Sequence, residues 1–228
     1  MKKWTDSVFY GLAAKYYAYN QNVLLSLLEK EKGSKLLDVG CNDGYFTLKA
    51  AGLIETKNLY GIDLNRNALQ KASSKGIETK YHDVNTRFPF EDSYFDAVIS
   101  NQVLEHIIDT DNFFREIYRI LKKGGYAVIS TPNISSFHNL AFLNLGMQPP
   151  GLHVSEIQVG NPLYGTETHG HIKLFNLYSL KDLAKYHGYS VEIIKGIGIY
   201  PLPIRISCLL SKILKRYCVY LTIKIRKE

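Results

Sequence analysis

The chain has 228 residues, 46% of them apolar and 21% charged: core-forming material for one ordinary domain, and too apolar to remain disordered. No apolar run approaches the roughly 18 residues of a membrane-spanning helix, and no secretory-signal pattern opens the chain. Three widely spread cysteines, Cys41, Cys208 and Cys218, exclude a disulfide scaffold and a cysteine-built zinc module, and a reducing cytoplasm is the expected setting. Net charge is +7, yet seven basic residues from Arg205 onward face Glu228 alone, so the body is near neutral and the basic end is C-terminal. That distribution argues against a nucleic-acid partner spread over the whole surface.

Residues 1–32 carry Tyr10, Tyr16, Tyr17 and Tyr19 and end in an apolar stretch where Val23, Leu24, Leu27 and Leu28 share a helical face, which predicts an N-terminal cap helix. Strand and helix patterns then alternate. Lys35–Val39 reads as a strand, Tyr45–Ala51 as a helix, and Leu59–Ile62 as a second strand. Arg66–Lys75 reads as a helix closed by Gly76, Ile77–His82 and Phe95–Ser100 as strands three and four. Phe113, Phe114, Ile117, Ile120 and Leu121 form a helical stripe predicted to run to Gly124-Gly125, with a fifth strand over Tyr126–Ser130. Near-continuous apolar strands separated by helices predict a parallel sheet covered on both faces. Residues 131–176 hold four of the seven prolines and four of the seven histidines, and read as an irregular functional insertion or lid. A helix over Leu180–Tyr186, a strand over Tyr189–Ile194, a helical stripe (Ile206, Leu209, Leu210, Ile213, Leu214) and a last strand over Tyr217–Ile225 complete a single domain.

The informative loop follows the first strand: Leu36-Leu37-Asp38-Val39-Gly40-Cys41-Asn42-Asp43-Gly44. At the first crossover of a doubly wound sheet, ligands bind beyond the strands' carboxyl ends. A phosphate-cradling P-loop needs GxxxxGK[ST], and a nicotinamide site needs G-x-G-x-x-G; neither is present. Asp38 and Asp43 would also repel a pyrophosphate. Carboxylates there suit a cationic, phosphate-free cofactor.

The pattern resembles the class I S-adenosylmethionine-dependent methyltransferases, in particular their small-molecule branch that includes quinone-biosynthesis enzymes. The resemblance covers Leu36 to Asn133 and resumes over His171–Ile194. LLDVGCNDG looks like the family's first motif, with Asn42 at its middle glycine; asparagine tolerates positive φ, so the loop is expected to close. Tyr60-Gly61-Ile62-Asp63, His82-Asp83-Val84, Phe95-Asp96-Ala97-Val98 with Asn101-Gln102-Val103-Leu104-Glu105-His106, and Leu121-Lys122-Lys123-Gly124-Gly125 resemble the motifs that follow in order. The resemblance implies an α/β, Rossmann-like, doubly wound seven-stranded sheet, its last strand antiparallel and inserted beside the fifth. It implies an S-adenosyl-L-methionine site at Asp38, Gly40, Asn42, Gly44, Asp63, Leu64, Asp83, Val84 and Asn101, with Asp63 on the ribose and Asp83 on the adenine amine. Asp96 reads as a fold-supporting residue.

Methyl transfer from a sulfonium needs a base only where the acceptor must lose a proton. His106, His169 and His171 are the candidates, and the residues do not choose among them. His153, Glu156, His169 and His171 invite a metal reading, but no HExxH-like spacing supports it and no metal is expected. Phe137, Phe142, Leu143, Leu145 and Met147 make the insertion partly apolar, so the expected acceptor is a partly hydrophobic small molecule. A non-catalytic cofactor-binding module and an RNA methyltransferase are the alternatives; DNA is not an expected partner, because the amine-methylating tetrad is missing at Asn101–Leu104. The stripe near the C-terminus is expected to pack on the domain, or else to lie on an anionic membrane through Lys212, Lys215 and Arg216.

Overall fold

The computed structural model describes residues 2–149, 152, 154–162 and 170–228, with side chains from residue 11 onward apart from residue 12. His153 and His169 therefore lie outside the described residues, as does the side chain of Tyr10. The strands are β1 (Lys35–Val39), β2 (Asn58–Asp63), β3 (Glu78–Tyr81), β4 (Phe95–Asn101), β5 (Leu121–Pro132), β6 (Tyr189–Ile197) and β7 (Tyr220–Lys227). They form one sheet in the order β3-β2-β1-β4-β5-β7-β6, parallel from β3 to β5, with β7 antiparallel to both its neighbours. The helices are α1 (Lys2–Leu25), α2 (Tyr45–Ile54), α3 (Arg66–Ser74), α4 (Thr110–Ile120), α5 (Phe137–Asn144), α6 (Leu177–Tyr186) and α7 (Ile204–Ser211).

Successive strand residues point to opposite faces, so each buried strand feeds two apolar layers. Leu36, Ala97, Ile99 and Val128 join Leu24 of α1 and Ala50, Ala51 and Ile54 of α2 on one side. Leu37, Val98, Ala127, Ile129 and Ile223 join Phe113, Phe114, Ile117 and Ile120 of α4 and Leu180 of α6 on the other. Helix starts are set by polar caps. Asn65 Oδ1 accepts from the Ala68 N–H, Asp109 Oδ1 from Asn112, and Asn176 with Ser179 closes a capping box on α6. Asp96 accepts from the Lys35 N–H at 2.8 Å and from Lys122 Nζ at 2.6 Å, tying the starts of β1 and β4 to β5.

Four elements depart from the periodicity. Helix α4 stops at Ile120, because the fully buried Leu121 already pairs with Phe95 in the sheet. The 131–176 segment contains α5, whose one buried residue is Asn139, donating to the Asn133 carbonyl. The last strand begins at Tyr220; Tyr217 closes a short 3-10 turn. In α7 the buried residues are Ser207 and Ser211, and of the apolar stripe Ile206, Leu209 and Ile213 are exposed while Leu210 and Leu214 are half-buried. Within the basic end, Lys224 and Arg226 pair with Glu29 and Glu192, and Lys227 donates to the Leu121 carbonyl.

Candidate functional site

At the end of β1 the chain reverses through Gly40 (φ 80°), Asn42 (φ 47°) and Gly44 (φ 78°), which opens α2. A Cβ on Gly40 would lie 2.3 Å from Val103 Cγ2 and one on Gly44 2.4 Å from Ile77 Cδ1, so both positions need glycine for space as well as for φ. Asn42 adopts the left-handed conformation that its place in the motif requires. The Gly40 and Cys41 amides donate to the Ile62 carbonyl, and Asp63 at the end of β2 accepts from the Asn42 N–H and the Asn65 N–H, each at 2.8 Å. Asp63 thus holds the glycine loop in place.

Asp38 lies beneath the loop, 2% exposed, accepting from Thr47 Oγ1 at 2.6 Å. Burial pushes its pKa up to about 7 against the Thr47 hydrogen bond, with the Asp63 charge adding repulsion. Asp43 is turned onto Lys75 at 3.0 Å.

These residues border a cleft of about 480 Å³. Asp38, Gly40, Asn42, Asp63, Leu64, Val84 and Asn101 line it, and Gly44 shapes the turn behind it. Asp83 is placed differently: its Oδ1 accepts from the Asn85 N–H and Nδ2, and the residue is exposed outside the lining. Its neighbours His82, Val84 and Asn85 face the cleft instead. No lysine or arginine lines the cleft among the described residues. An acidic, lysine-free cleft over a glycine loop fits a cationic cofactor without phosphate.

Helix α1 supplies Tyr17 and Gln21 to the lining; the tyrosine-rich stretch of residues 10–19 points to a tyrosine there, whereas nothing in the sequence pattern points to Gln21. What positions it is a buried network. Asn20 Nδ2 donates to Asn101 Oδ1 at 3.0 Å, Asn20 Oδ1 accepts from Ser130 and Thr222 hydroxyls, and Asn101 Nδ2 donates to Tyr17 Oη. Tyr16, one turn before Asn20 on the same face, donates to the Ile199 carbonyl at 2.8 Å.

A second cavity of about 440 Å³ shares Tyr17, Gln102 and His106 with the first, and adds Glu105, Pro132, His138, His171 and Tyr220. His106 and His171 meet edge to face with ring centroids 5.0 Å apart. They come together because the Glu105 carbonyl accepts from the Ile172 and Lys173 amides. His106 Nδ1 lies 3.1 Å from the Gly170 carbonyl, which assigns the proton to Nδ1 and leaves Nε2 as an acceptor. Glu105 is 1% exposed; Thr131 donates to Oε2, Oε1 has no partner among the described residues, and burial raises its pKa to about 7. Ligand atoms of Glu105, His106 and His171 all lie within 4.8 Å of one another. Glu156, considered as a ligand from the sequence, is exposed on the insertion.

This sheet order with a glycine loop at the end of β1 defines a Rossmann-like methyltransferase fold. Residues 12–193 match a family model described as a methyltransferase domain. A probable S-adenosylmethionine-dependent methyltransferase of Mycolicibacterium smegmatis is 27% identical over 79% of this chain and 71% of its own length. A demethylmenaquinone methyltransferase of Anoxybacillus flavithermus is 31% identical over 49% of this chain and 52% of its own. Among solved structures, an S-adenosylmethionine-dependent methyltransferase from Mesorhizobium loti superposes with a TM-score of 0.65 at 19% identity, covering 90% of this chain and 96% of that one. The phosphoethanolamine N-methyltransferase 2 of Haemonchus contortus, in complex with S-adenosyl-L-methionine, superposes at 0.61 and 19%, covering 92% and 52%. The chain belongs to the class I S-adenosylmethionine-dependent methyltransferases. It is a methyltransferase, and S-adenosyl-L-methionine is its cofactor.

Proposed function

We propose that the 480 Å³ cleft holds S-adenosylmethionine and that the adjoining cavity holds a partly hydrophobic small-molecule acceptor. The observation that carries this reading is the junction: an acidic cleft free of lysine and arginine meets a second cavity at Tyr17, Gln102 and His106. In this reading Asp63 accepts from the ribose hydroxyls, and Asp38 faces the methionine end beneath Gly40, Asn42 and Gly44. Leu64, Val84 and Asn85 flank the adenine, with Asp83 at the rim, and Asn101 joins the cofactor site to α1. Bound there, the cofactor supplies a methyl group already activated on a sulfonium. The protein's part is orientation and exclusion of water, which α1 performs from above the sheet edge.

His106 is the base, for acceptors that must lose a proton: Nδ1 donates to the Gly170 carbonyl, which holds the ring and leaves Nε2 to accept. His171 positions that ring through their edge-to-face contact. A second reading, a divalent ion on Glu105, His106 and His171, is favoured by their convergence within 4.8 Å. Phe137 and Leu143, exposed on α5, and Leu145 just after it support an apolar acceptor, and a relative named for demethylmenaquinone is consistent with one. Three free cysteines suit a cytoplasmic, reducing compartment, and an anionic membrane surface is where such an acceptor is met.

The test is transfer of radiolabelled methyl from S-adenosylmethionine into fractionated cell extract. Label in an organic-soluble product supports the reading. Label confined to RNA or to water-soluble metabolites overturns it. Loss of activity with a chelator, restored by a divalent cation, replaces the base by the metal.

A further inference from the structure

Helix α7 and the turn after it present Ile206, Leu209 and Ile213 to solvent, while Leu210 and Leu214 are half-buried. Ser207 and Ser211 point inward, where their hydroxyls accept from the Ile199 and Gly198 amides at 2.6 and 3.1 Å. The backbone between β6 and α7 would otherwise carry unsatisfied donors, so polar residues take the inner face. The stripe is displaced outward: Ile206 is 52% exposed, Leu209 64% and Ile213 78%. Arg205, Lys212, Lys215 and Arg216, all exposed, flank it and form no ion pair among the described residues. No Asp or Glu occurs between Glu192 and Glu228. The Tyr217 ring, next in the chain, stacks on Phe137 of α5 at 4.9 Å, and α5 also carries His138 and Asn139 of the second cavity.

We propose that α7 and the turn after it dock on an anionic lipid bilayer, with Ile206, Leu209 and Ile213 entering the interfacial layer and Arg205, Lys212 and Lys215 reaching lipid phosphates. The charge selects the occupant. A second copy packed through α7 about a two-fold axis would set these cations against their own images. The helix has eight residues, about 12 Å, which is small against the roughly 1,200 Å² that a stable protein interface buries. A bilayer takes apolar side chains ringed by cations without either penalty. The docked face adjoins α5, so the second cavity opens beside the bilayer. Docking through α7 does not depend on which acceptor is methylated.

The experiment is co-sedimentation of the full chain with phosphatidylcholine vesicles, with and without phosphatidylglycerol, at low and high salt. Two variants are compared: Ile206→Ser/Leu209→Ser/Ile213→Ser, and Arg205→Ser/Lys212→Ser/Lys215→Ser. S-adenosylmethionine affinity by calorimetry, expected unchanged in both, shows that the variants fold. Binding is expected to anionic vesicles alone, to weaken with salt, and to fall about five-fold per removed cation, on the order of 100-fold for the triple change. The apolar variant is expected to lose binding as well. Absence of binding at low salt, equal binding to neutral vesicles, or binding unaltered in both variants overturns the proposal. So does self-association, or capture of an acidic protein, that the apolar variant abolishes while vesicle binding is absent.

Discussion

Asp63 holds the glycine loop and is proposed to hold the ribose as well, and that is why one carboxylate at the end of β2 matters so much. Its carboxylate accepts from the Asn42 and Asn65 amides, fixing the glycine loop. Its remaining lone pairs are the ones proposed to accept from the ribose hydroxyls. Asp63→Ala is therefore expected to lower S-adenosylmethionine affinity by about ten-fold or more, since hydrogen bonds to charged groups run at about 1.5–3 kcal/mol; calorimetry measures it. Wild-type affinity in the variant would remove Asp63 from the site. The buried acids Asp38 and Glu105, both raised to about 7, make a pH prediction. Between the carboxylates' ordinary values near 4 and their raised values, the folded chain keeps protons that the unfolded chain has lost, so stability falls as pH rises through that window. The melting temperature of the cofactor-free enzyme is expected to drop from about pH 5 to about pH 7.5, and Glu105→Gln to flatten part of the slope. A cationic ligand over Asp38 favours its ionised form, so cofactor affinity is expected to rise across the same range.

Among the elements, α1 is held on the sheet by polar contacts as well as apolar ones. Tyr16, Asn20 and Leu24 recur every four residues on one face, and all three are buried, but the middle one is an asparagine bonded to Asn101, Ser130 and Thr222. Asn20→Leu would keep the volume and leave those partners unsatisfied, at about 1–3 kcal/mol. Denaturant unfolding is expected to show that loss. Cofactor affinity is expected to fall with it, because Asn101 and Tyr17 lose their anchor; an unchanged affinity would mean that α1 sits over the cleft without help from Asn20. Helices α5 and α7 follow the same logic on a smaller scale, turning Asn139 or Ser207 and Ser211 inward to meet backbone groups.

For the whole molecule, β7 is the closing element. It enters antiparallel between β5 and β6 and brings Lys224 and Arg226 onto Glu29, just beyond α1, and Glu192 of β6. Hydrogen bonding to Arg226 holds the Glu192 carboxyl below its ordinary range, so its contribution is present above about pH 4.5 and is lost as pH falls through the lowered value. Glu192→Gln is expected to destabilise the protein at neutral pH, with the deficit against wild type shrinking on acidification in a pH series of urea melts. A constant deficit would mean that packing, and not charge, ties β6 to β7.

The sequence by itself determined the sheet and the loop at its centre. Strands buried on both faces must be apolar nearly throughout, and a left-handed turn favours glycine or asparagine, so both constraints are written locally in Lys35–Gly44 and Phe95–Ser100. The order with β7 inside the edge followed from the family resemblance, not from periodicity. Tertiary structure alone decided which histidine meets which. His106 and His171 lie 65 residues apart, and the Ile172 and Lys173 amides on the Glu105 carbonyl, with His106 on the Gly170 carbonyl, bring their rings together. It also decided that Asp83 bonds Asn85 outside the cleft, that Tyr17 faces into it, and that the α7 stripe faces outward. Apolar periodicity reports burial only where side chains do the filling. Where a connection's own N–H and C=O groups must be satisfied inside, a serine or an asparagine takes the inner face, and no pattern of hydrophobicity announces it.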